Sequence, residues 1–253
     1  MRKNIAAGNW KMNLTLDEGQ KLASEVINMA KGEVSNDAEI ILIPPFVHIT
    51  SVEKLVGSAA NVKVGAQNCS DQGSGAYTGE TSVSMLKSAG VSYVVIGHSE
   101  RRELFGEDNA LLAAKTKAVL DGGLKPIYCC GEKLESREAE QHFAVNKEQI
   151  EEGLFGLSKE EILNVVIAYE PVWAIGTGVT ASSDQAQEMH AYIRGLIAEK
   201  YDQETADSIS ILYGGSVKPG NAQELFAQPD VDGGLVGGAS LKSRDFVDII
   251  KSF

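Results

Sequence analysis

The sequence contains no long apolar run. None approaches the roughly 18 to 20 residues that a membrane-spanning helix needs. The segment MRKNIAAGNWKMN at the start turns polar too soon to match a signal peptide. These two absences predict a protein that does not act within a membrane.

Basic charge is also scarce. Lys and Arg number 23 against 35 Asp and Glu, which gives a net charge of -12. Nucleic-acid phosphates are held by basic surfaces, so the net charge argues against a general nucleic-acid binder. A small anionic ligand needs only a local positive site, and that possibility stays open.

Cysteine is the third scarcity. Cys69, Cys129 and Cys130 form no metal-ligand spacing, and the adjacent pair is typical of small buried residues in a strand. No cluster of His, Cys or carboxylate side chains shows such spacing either. Free thiols are expected in a reducing compartment, so the composition favours the cytoplasm.

A pattern of short apolar runs, each followed by a longer helical stretch, occurs eight times. Several runs, such as 40–43, are apolar without alternation, which is typical of parallel strands covered by helices on both faces. The eight runs are 4–10, 39–45, 62–68, 93–99, 125–131, 165–171, 209–215 and 232–238.

The stretches between the runs predict helices, among them 16–31, 108–123 and one from Ser182 to about Tyr201. Capping boxes are predicted at Ser158 with Glu161 and at Ser182 with Gln185. Eight strand–helix pairs in 253 residues favour a closed (β/α)8 TIM barrel, with eight parallel strands and outer helices, as a single domain over residues 1–253. An open doubly wound sheet is the alternative, but its first strand would usually end in GxGxxG, whereas this one ends in GNWKMN.

Polar side chains follow the ends of the predicted strands. In a parallel barrel these ends share one rim, where enzyme sites lie. The residues are Asn9, Lys11, Gln67, Asn68, His98, Glu132 and Glu170. Seen alone, Glu170 could be a solvated carboxylate, His98 a structural histidine and Lys11 a surface lysine. Because all three follow strands that end at the same rim, a shared ligand-binding or catalytic site is favoured.

Two glycine pairs follow the last two predicted strands, in YGGSV (213–217) and VGGAS (236–240). Without Cβ atoms, the backbone can approach an anion closely and direct amides towards it. Loops at these two places, with a short extra helix, form the phosphate site of many barrels. We therefore expect a phosphorylated ligand, with Lys11 rather than a metal as the cation.

The remaining rim residues indicate proton transfer. His98 precedes a predicted short helix, whose N-terminus disfavours the imidazolium, so a neutral ring could donate a hydrogen bond to a developing oxyanion. Glu170 is followed by Pro171, which fixes the exit direction of the chain, and its carboxylate could act as a general base. A carboxylate base with a neutral donor suits proton abstraction beside a carbonyl.

Several segments resemble the signatures of the triosephosphate isomerase family, in order and spacing, across essentially the whole chain. They are AGNWKMN (7–13), IGHSERR (96–102), AYEPVWAIGTG (168–178), YGGSV and VGGASL (236–241). The resemblance implies an aldose–ketose isomerase that interconverts dihydroxyacetone phosphate and glyceraldehyde 3-phosphate in glycolysis and gluconeogenesis, without cofactor or metal.

The resemblance also implies residue roles. Glu170 would carry the proton between C1 and C2 of an enediolate, His98 would polarise the carbonyl and Lys11 would offset negative charge; the family is itself the standard example of a carboxylate base paired with a neutral histidine. Substrate contacts are implied at Asn9, Gly176, Ser216, Gly237 and Gly238. Glu100 would support Lys11 or His98, and Tyr213 would receive a closing lid.

That lid would have its first hinge at 171–173 and its tip at 174–178. Val179 stands where the family's second hinge usually has lysine, and a β-branched residue there predicts altered lid kinetics. The loop 68–80 resembles the segment that enters a partner subunit, which implies a homodimer with Thr78 at the interface. Its Cys69 and its glycine- and serine-rich tip depart from the family and put the tightness of the dimer in question.

Two alternatives remain open at the level of sequence. A non-catalytic barrel could bind a phosphometabolite as a sensor, but it would lack a base, a donor or a cation. A different phosphosugar enzyme could use the same barrel, although the long string at 168–178 disfavours it.

Overall fold

A closed barrel of eight parallel strands, in chain order, forms the centre of the molecule. The computed structural model describes residues 2–57, 59, 61–175 and 180–253. The strands are β1 (Ile5–Asn9), β2 (Glu39–Ile43), β3 (Val62–Ala66), β4 (Tyr93–Ile96), β5 (Lys125–Cys130), β6 (Val166–Tyr169), β7 (Ile211–Tyr213) and β8 (Gly233–Val236). Each lies within one of the eight apolar runs, and the predicted barrel is confirmed.

The last strand closes the barrel on the first. β8 pairs in parallel with β1, with Ile5 opposite Gly233 and Gly8 opposite Val236. Gly233 has φ +135°, and an added Cβ there would lie 2.0 Å from the Ile5 carbonyl oxygen. Only glycine lets the two strands approach so closely, so this residue permits closure and the open-sheet alternative is wrong.

Helices surround the strands. In the described residues they are α1 (Leu16–Glu33), α2 (Ile49–Val56), α3 (Val83–Ser88), α4 (Ser99–Phe105), α5 (Asn109–Asp121), α6 (Leu134–Glu138), α7 (His142–Leu154), α8 (Lys159–Ile162), α9 (Ser183–Lys200), α10 (Gln203–Ala206), α11 (Pro219–Phe226) and α12 (Ser243–Ile250). Both predicted capping boxes are present, at the starts of α8 and α9. Within the described part of the chain, every helix is too short or too polar to cross a membrane.

The strands are buried on both faces. Inside the barrel lies an apolar cluster made only of strand residues, and a second, larger cluster joins the outer strand faces to the helices. In β1, Ile5 and Ala7 belong to the inner cluster and Ala6 to the outer one. Cys129 and Cys130 divide in the same way, both buried as predicted, and burial raises the pKa of each thiol. This double burial explains why the strands show no alternation in the sequence.

A buried ion-pair network supports the amino-terminal rim. Arg194 of α9 donates to Asp230 at 2.6 Å and to Asp232 at 2.7 Å. The same guanidinium donates to the carbonyl oxygens of Ala206 and Ile209. Arg194 therefore joins α9 and the end of α10 to the segment that leads into β8.

Replacing Arg194 by methionine should destabilise the fold, because Asp230 and Asp232 each lose a guanidinium partner and the carbonyl oxygens of Ala206 and Ile209 each lose a donor. We expect Arg194→Met to lower the free energy of unfolding by about 3–5 kcal/mol. Denaturant titration measures this. Arg244→Met is the control, since Arg244 meets Glu33 at the exposed surface, and it should change little. Equal midpoints for Arg194→Met and the wild type would show that the network contributes nothing.

Candidate active site

One cavity of about 490 Å³ lies at the carboxyl rim of the barrel. It is lined by side chains or backbone from β1, β4, β6, β7 and β8 or from the segments that follow them. The predicted site residues that line it are Asn9, Lys11, His98, Glu170, Ser216, Gly237 and Gly238. Barrel closure thus brings together residues that are more than 200 positions apart in the chain.

His98 sits at the start of α4 as its N-cap residue. Its Nδ1 accepts a hydrogen bond from the backbone N–H of Glu100, at 3.2 Å. A neutral ring must then carry its proton on Nε2. Nε2 lies 3.0 Å from Oε1 of Glu170, so it donates to that carboxylate. The local turn therefore fixes both the orientation and the tautomer of the ring.

Glu170 follows β6 directly and is only 2% exposed. Its Oε2 accepts the backbone N–H of Ser99 at 2.9 Å, and the Ser99 hydroxyl lies 3.4 Å from Oε1. Ser99 is the first residue of α4, where free amides favour negative charge. The carboxylate is thus held by two consecutive residues of one helix start, through Ser99 and the His98 ring.

The glycines that directly follow the neighbouring strands β5 and β7 leave room for the Glu170 backbone. A Cβ added to Gly131 would lie 1.8 Å from the Glu170 carbonyl oxygen, and one added to Gly214 would lie 2.8 Å from its Cγ. Glu170 N–H donates to the Cys130 carbonyl oxygen at 2.7 Å. The close approach of β5, β6 and β7 therefore sets the position of this carboxylate.

Lys11 adopts a left-handed backbone conformation, with φ 51°. Its N–H donates to Oδ1 of Asn9 at 3.0 Å, and its carbonyl oxygen accepts from Gln67 Nε2 at 2.9 Å. Its Nζ lies 2.6 Å from Oε1 of Glu100, whose other oxygen lies 3.6 Å from His98 Nδ1. These contacts hold an uncommon backbone conformation and direct the ammonium group to the cavity.

The two glycine loops form one wall of the cavity. Gly237 precedes a 3₁₀ turn at Gly238–Leu241, which is the short extra helix that the sequence predicts after β8. A Cβ added to Gly238 would meet no atom within 4 Å, so its backbone faces open space. On the other loop, the Ser216 hydroxyl donates to the Ala174 carbonyl oxygen at 2.9 Å. Amides at both loops can therefore approach an anion.

The segment after Glu170 is attached to a fully buried carboxylate, Glu132. Oε1 of Glu132 accepts hydrogen bonds from the Tyr169 hydroxyl at 3.0 Å and from Trp173 Nε1 at 2.9 Å. Asn146 donates to the other oxygen at 3.0 Å. The sequence predicts Glu132 at the rim without a role, and in the structure its carboxylate holds Trp173 by a hydrogen bond.

Tyr213 lies at the end of β7, fully buried. Burial raises the pKa of its phenol to about 12, against a smaller opposing effect of the Ala181 backbone. Its hydroxyl would lie 2.3 Å from a Cβ on Gly215, so it packs directly under that glycine loop. The predicted contacts of Gly176 and the predicted hinge effect of Val179 lie outside the described residues.

Among the residues not predicted for the site, three bear on its chemistry. Ser99 binds Glu170 through a backbone N–H, which no side-chain pattern indicates. Lys218 and Lys242 line the cavity from the segments just beyond the two glycine loops. A search for basic residues after each glycine pair would have found both lysines.

The fold and the cavity define a class: a parallel barrel enzyme with an acid–base site at its carboxyl rim. The triosephosphate isomerase family model matches residues 4–253. The chain is 58% identical to the triosephosphate isomerase of Cytophaga hutchinsonii, with both chains covered completely. It is 56% identical to that of Bacteroides fragilis and 46% identical to that of Amoebophilus asiaticus, again with complete coverage.

The chain belongs to the triosephosphate isomerase family. It is accordingly an intramolecular isomerase, which rules out the non-catalytic sensor and the different phosphosugar enzyme as alternatives.

The close approach at Gly131 generates a prediction. Gly131→Ala must displace the Glu170 backbone, and a misplacement of about 1 Å can cost about 100-fold in rate. We expect a loss in kcat of that order, measured by steady-state kinetics on folded protein. Gly156→Ala is the control, since a Cβ there meets no atom within 4 Å. Unchanged turnover in Gly131→Ala would contradict the idea that this contact positions Glu170.

Proposed function

We propose that this chain interconverts dihydroxyacetone phosphate and glyceraldehyde 3-phosphate by proton transfer through an enediolate, in glycolysis and gluconeogenesis. The observation that carries the proposal is the grouping of Glu170, His98 and Lys11 around one cavity walled by two glycine loops. No redox partner is needed, because a proton leaves one carbon and a proton is added to its neighbour.

The substrate phosphate binds at the glycine loops. Amides near Ser216, Gly237 and Gly238 face the cavity, and loops at these positions suit an anion. Gly176 contributes a further amide in this proposal. Asn9 also lines the cavity and orients the oxygen-bearing end of the substrate.

Glu170 is the general base. In the structure its oxygens are engaged by Ser99 and His98, so the substrate must replace these contacts before the carboxylate reaches carbon. The carboxylate then takes a proton from C1 and delivers it to C2. Its near-complete burial limits water around it, which protects the enediolate from side reactions.

His98 is the electrophile. Its Nε2–H, released from Glu170, donates to the substrate carbonyl oxygen as negative charge develops there. Because Nδ1 accepts from the Glu100 backbone, the ring acts as a neutral donor and passes protons between the two substrate oxygens. Lys11 offsets the negative charge of the intermediate, with Glu100 holding its ammonium group in place.

A lid completes the site in this proposal. Its first hinge is the segment 171–173, in which Trp173 is held by Glu132. Tyr213, buried under the first glycine loop, is the surface that receives the closed lid. Closure excludes water from the reacting carbons.

The chain also forms a homodimer in this proposal. Met12 is 94% exposed, Val47 72% and Tyr77 49%, an unusual degree of exposure for large apolar side chains. They follow β1, β2 and β3, which are neighbours in the barrel, so they share one side of the carboxyl rim. Thr78 lies beside Tyr77 in an exposed loop. A second copy of the chain would cover this surface.

The proposal also covers the domain organisation and the compartment. Residues 1–253 form one catalytic domain, which is supported by the pairing of the first strand with the last. The protein acts in the cytoplasm, which is supported by three free cysteines, all buried.

The function is tested by a coupled assay of glyceraldehyde 3-phosphate consumption. Glu170→Ala removes the base, and general acid–base groups contribute about 10²- to 10⁴-fold, so we expect a loss of about 10³-fold in kcat. Glu148→Ala, which changes an exposed carboxylate on α7, is the matched control and should retain full activity. Full turnover by a folded Glu170→Ala variant would refute the proposed base.

The dimer is tested by sedimentation. We expect the wild type to sediment with the mass of two chains, and Val47→Glu to shift towards one chain because a charge would be buried without a partner. Leu163→Glu alters another exposed apolar residue, near the start of β6, and should leave the mass unchanged. A wild type that sediments as one chain at micromolar concentration would overturn the dimer.

A further inference from the structure

Three lysines line the active-site cavity, and they differ in how their charge is balanced. Lys11 is paired with Glu100 at 2.6 Å, with 27% of its side chain exposed. Lys242 is 76% exposed and lies 4.0 Å from Asp245, which also lines the cavity. Lys218 is exposed and has no ion pair among the residues that the structure describes. The least compensated positive charge is therefore at the mouth, on Lys218.

The backbone positions of the two outer lysines are fixed. Lys218 comes two residues after Ser216, and its N–H donates to Asn221 Oδ1 at 2.7 Å. The Asn221 amide donates in turn to the Ser216 carbonyl oxygen at 3.0 Å. Lys242 directly follows the 3₁₀ turn of the other glycine loop, and its backbone N–H donates to the Ala239 carbonyl oxygen. Each lysine thus extends from the end of a loop that walls the cavity.

The negative net charge of the molecule makes local positive charge at the cavity mouth important for an anionic substrate. With a net charge of -12, the molecule repels an anionic substrate at long range. At physiological salt, charges are screened beyond about 8 Å, so a cation at the mouth acts mainly on an anion that has come near it. Lys11 lies deeper and is already paired, so it cannot serve this outer step alone.

We propose that Lys218, and to a smaller extent Lys242, are capture residues that attract the substrate phosphate to the glycine loops and act on association rather than on chemistry. This inference rests on the proposed function, because it assumes a phosphorylated substrate. The role of Lys242 is smaller because Asp245 offsets part of its charge.

The test replaces each lysine by glutamine and follows kcat and kcat/KM as ionic strength rises from about 10 to about 300 mM. At low salt, we expect kcat/KM to fall about three-fold in Lys218→Gln, less in Lys242→Gln and about ten-fold in the double variant. The differences should vanish at high salt, and kcat should not change. A merely structural role would not produce this salt dependence.

Lys31→Gln is the matched control. It removes the same charge from an exposed lysine in the last turn of α1, at the opposite rim of the barrel. If Lys218→Gln shows the same kcat/KM and salt slope as Lys31→Gln, or if kcat falls as much as kcat/KM, the capture role is wrong.

Binding of inorganic phosphate separates this inference from the proposed function. Calorimetric titration at low salt should show weaker binding to Lys218→Gln than to the wild type and to Lys31→Gln. A wild type without isomerase turnover would overturn the proposed function, while the phosphate titration would still decide the role of Lys218. Equal phosphate affinity in all three proteins would overturn the capture role.

Discussion

The parallel pairing of β8 with β1 is the constraint on which the rest of the structure depends. It turns eight strands into a ring, so that their carboxyl ends surround one cavity. Gly233 permits the close approach, and the Arg194 network holds the segment that precedes β8. Without closure, Lys11 and the second glycine loop would lie at opposite edges of a sheet.

Within that ring, the start of α4 determines the chemistry. The Glu100 N–H fixes the proton of His98 on Nε2, and the N–H of the preceding residue, Ser99, holds Glu170. The base Glu170 and the electrophile His98 are therefore hydrogen-bonded to each other in this structure, and the substrate must come between them. Glu100, also on α4, links this pair to Lys11, so one short helix organises three charged or polar groups.

The strands and the rim residues could be predicted from the sequence because double burial leaves continuous apolar runs and polar residues interrupt them only at strand ends. The sequence predicts α1 over 16–31, whereas the helix continues through Gly32 to Glu33, so a single glycine does not end it. The contacts of the site were harder to predict. Lys11 and Glu100 are 89 positions apart, and one of the partners of Glu170 is a backbone amide, so neither pairing has a local signal. Glu132 was noticed by position alone, because its partners Tyr169 and Trp173 meet it only in three dimensions.

The most direct test of the central claim is isomerisation in deuterated water. A carboxylate that takes the proton can exchange it with solvent before returning it, so the account predicts product with a measurable fraction of deuterium at the carbon that receives the proton. Product formed over many turnovers without any deuterium at that carbon would mean that hydrogen passes directly between the carbons, and the role given to Glu170 would be contradicted.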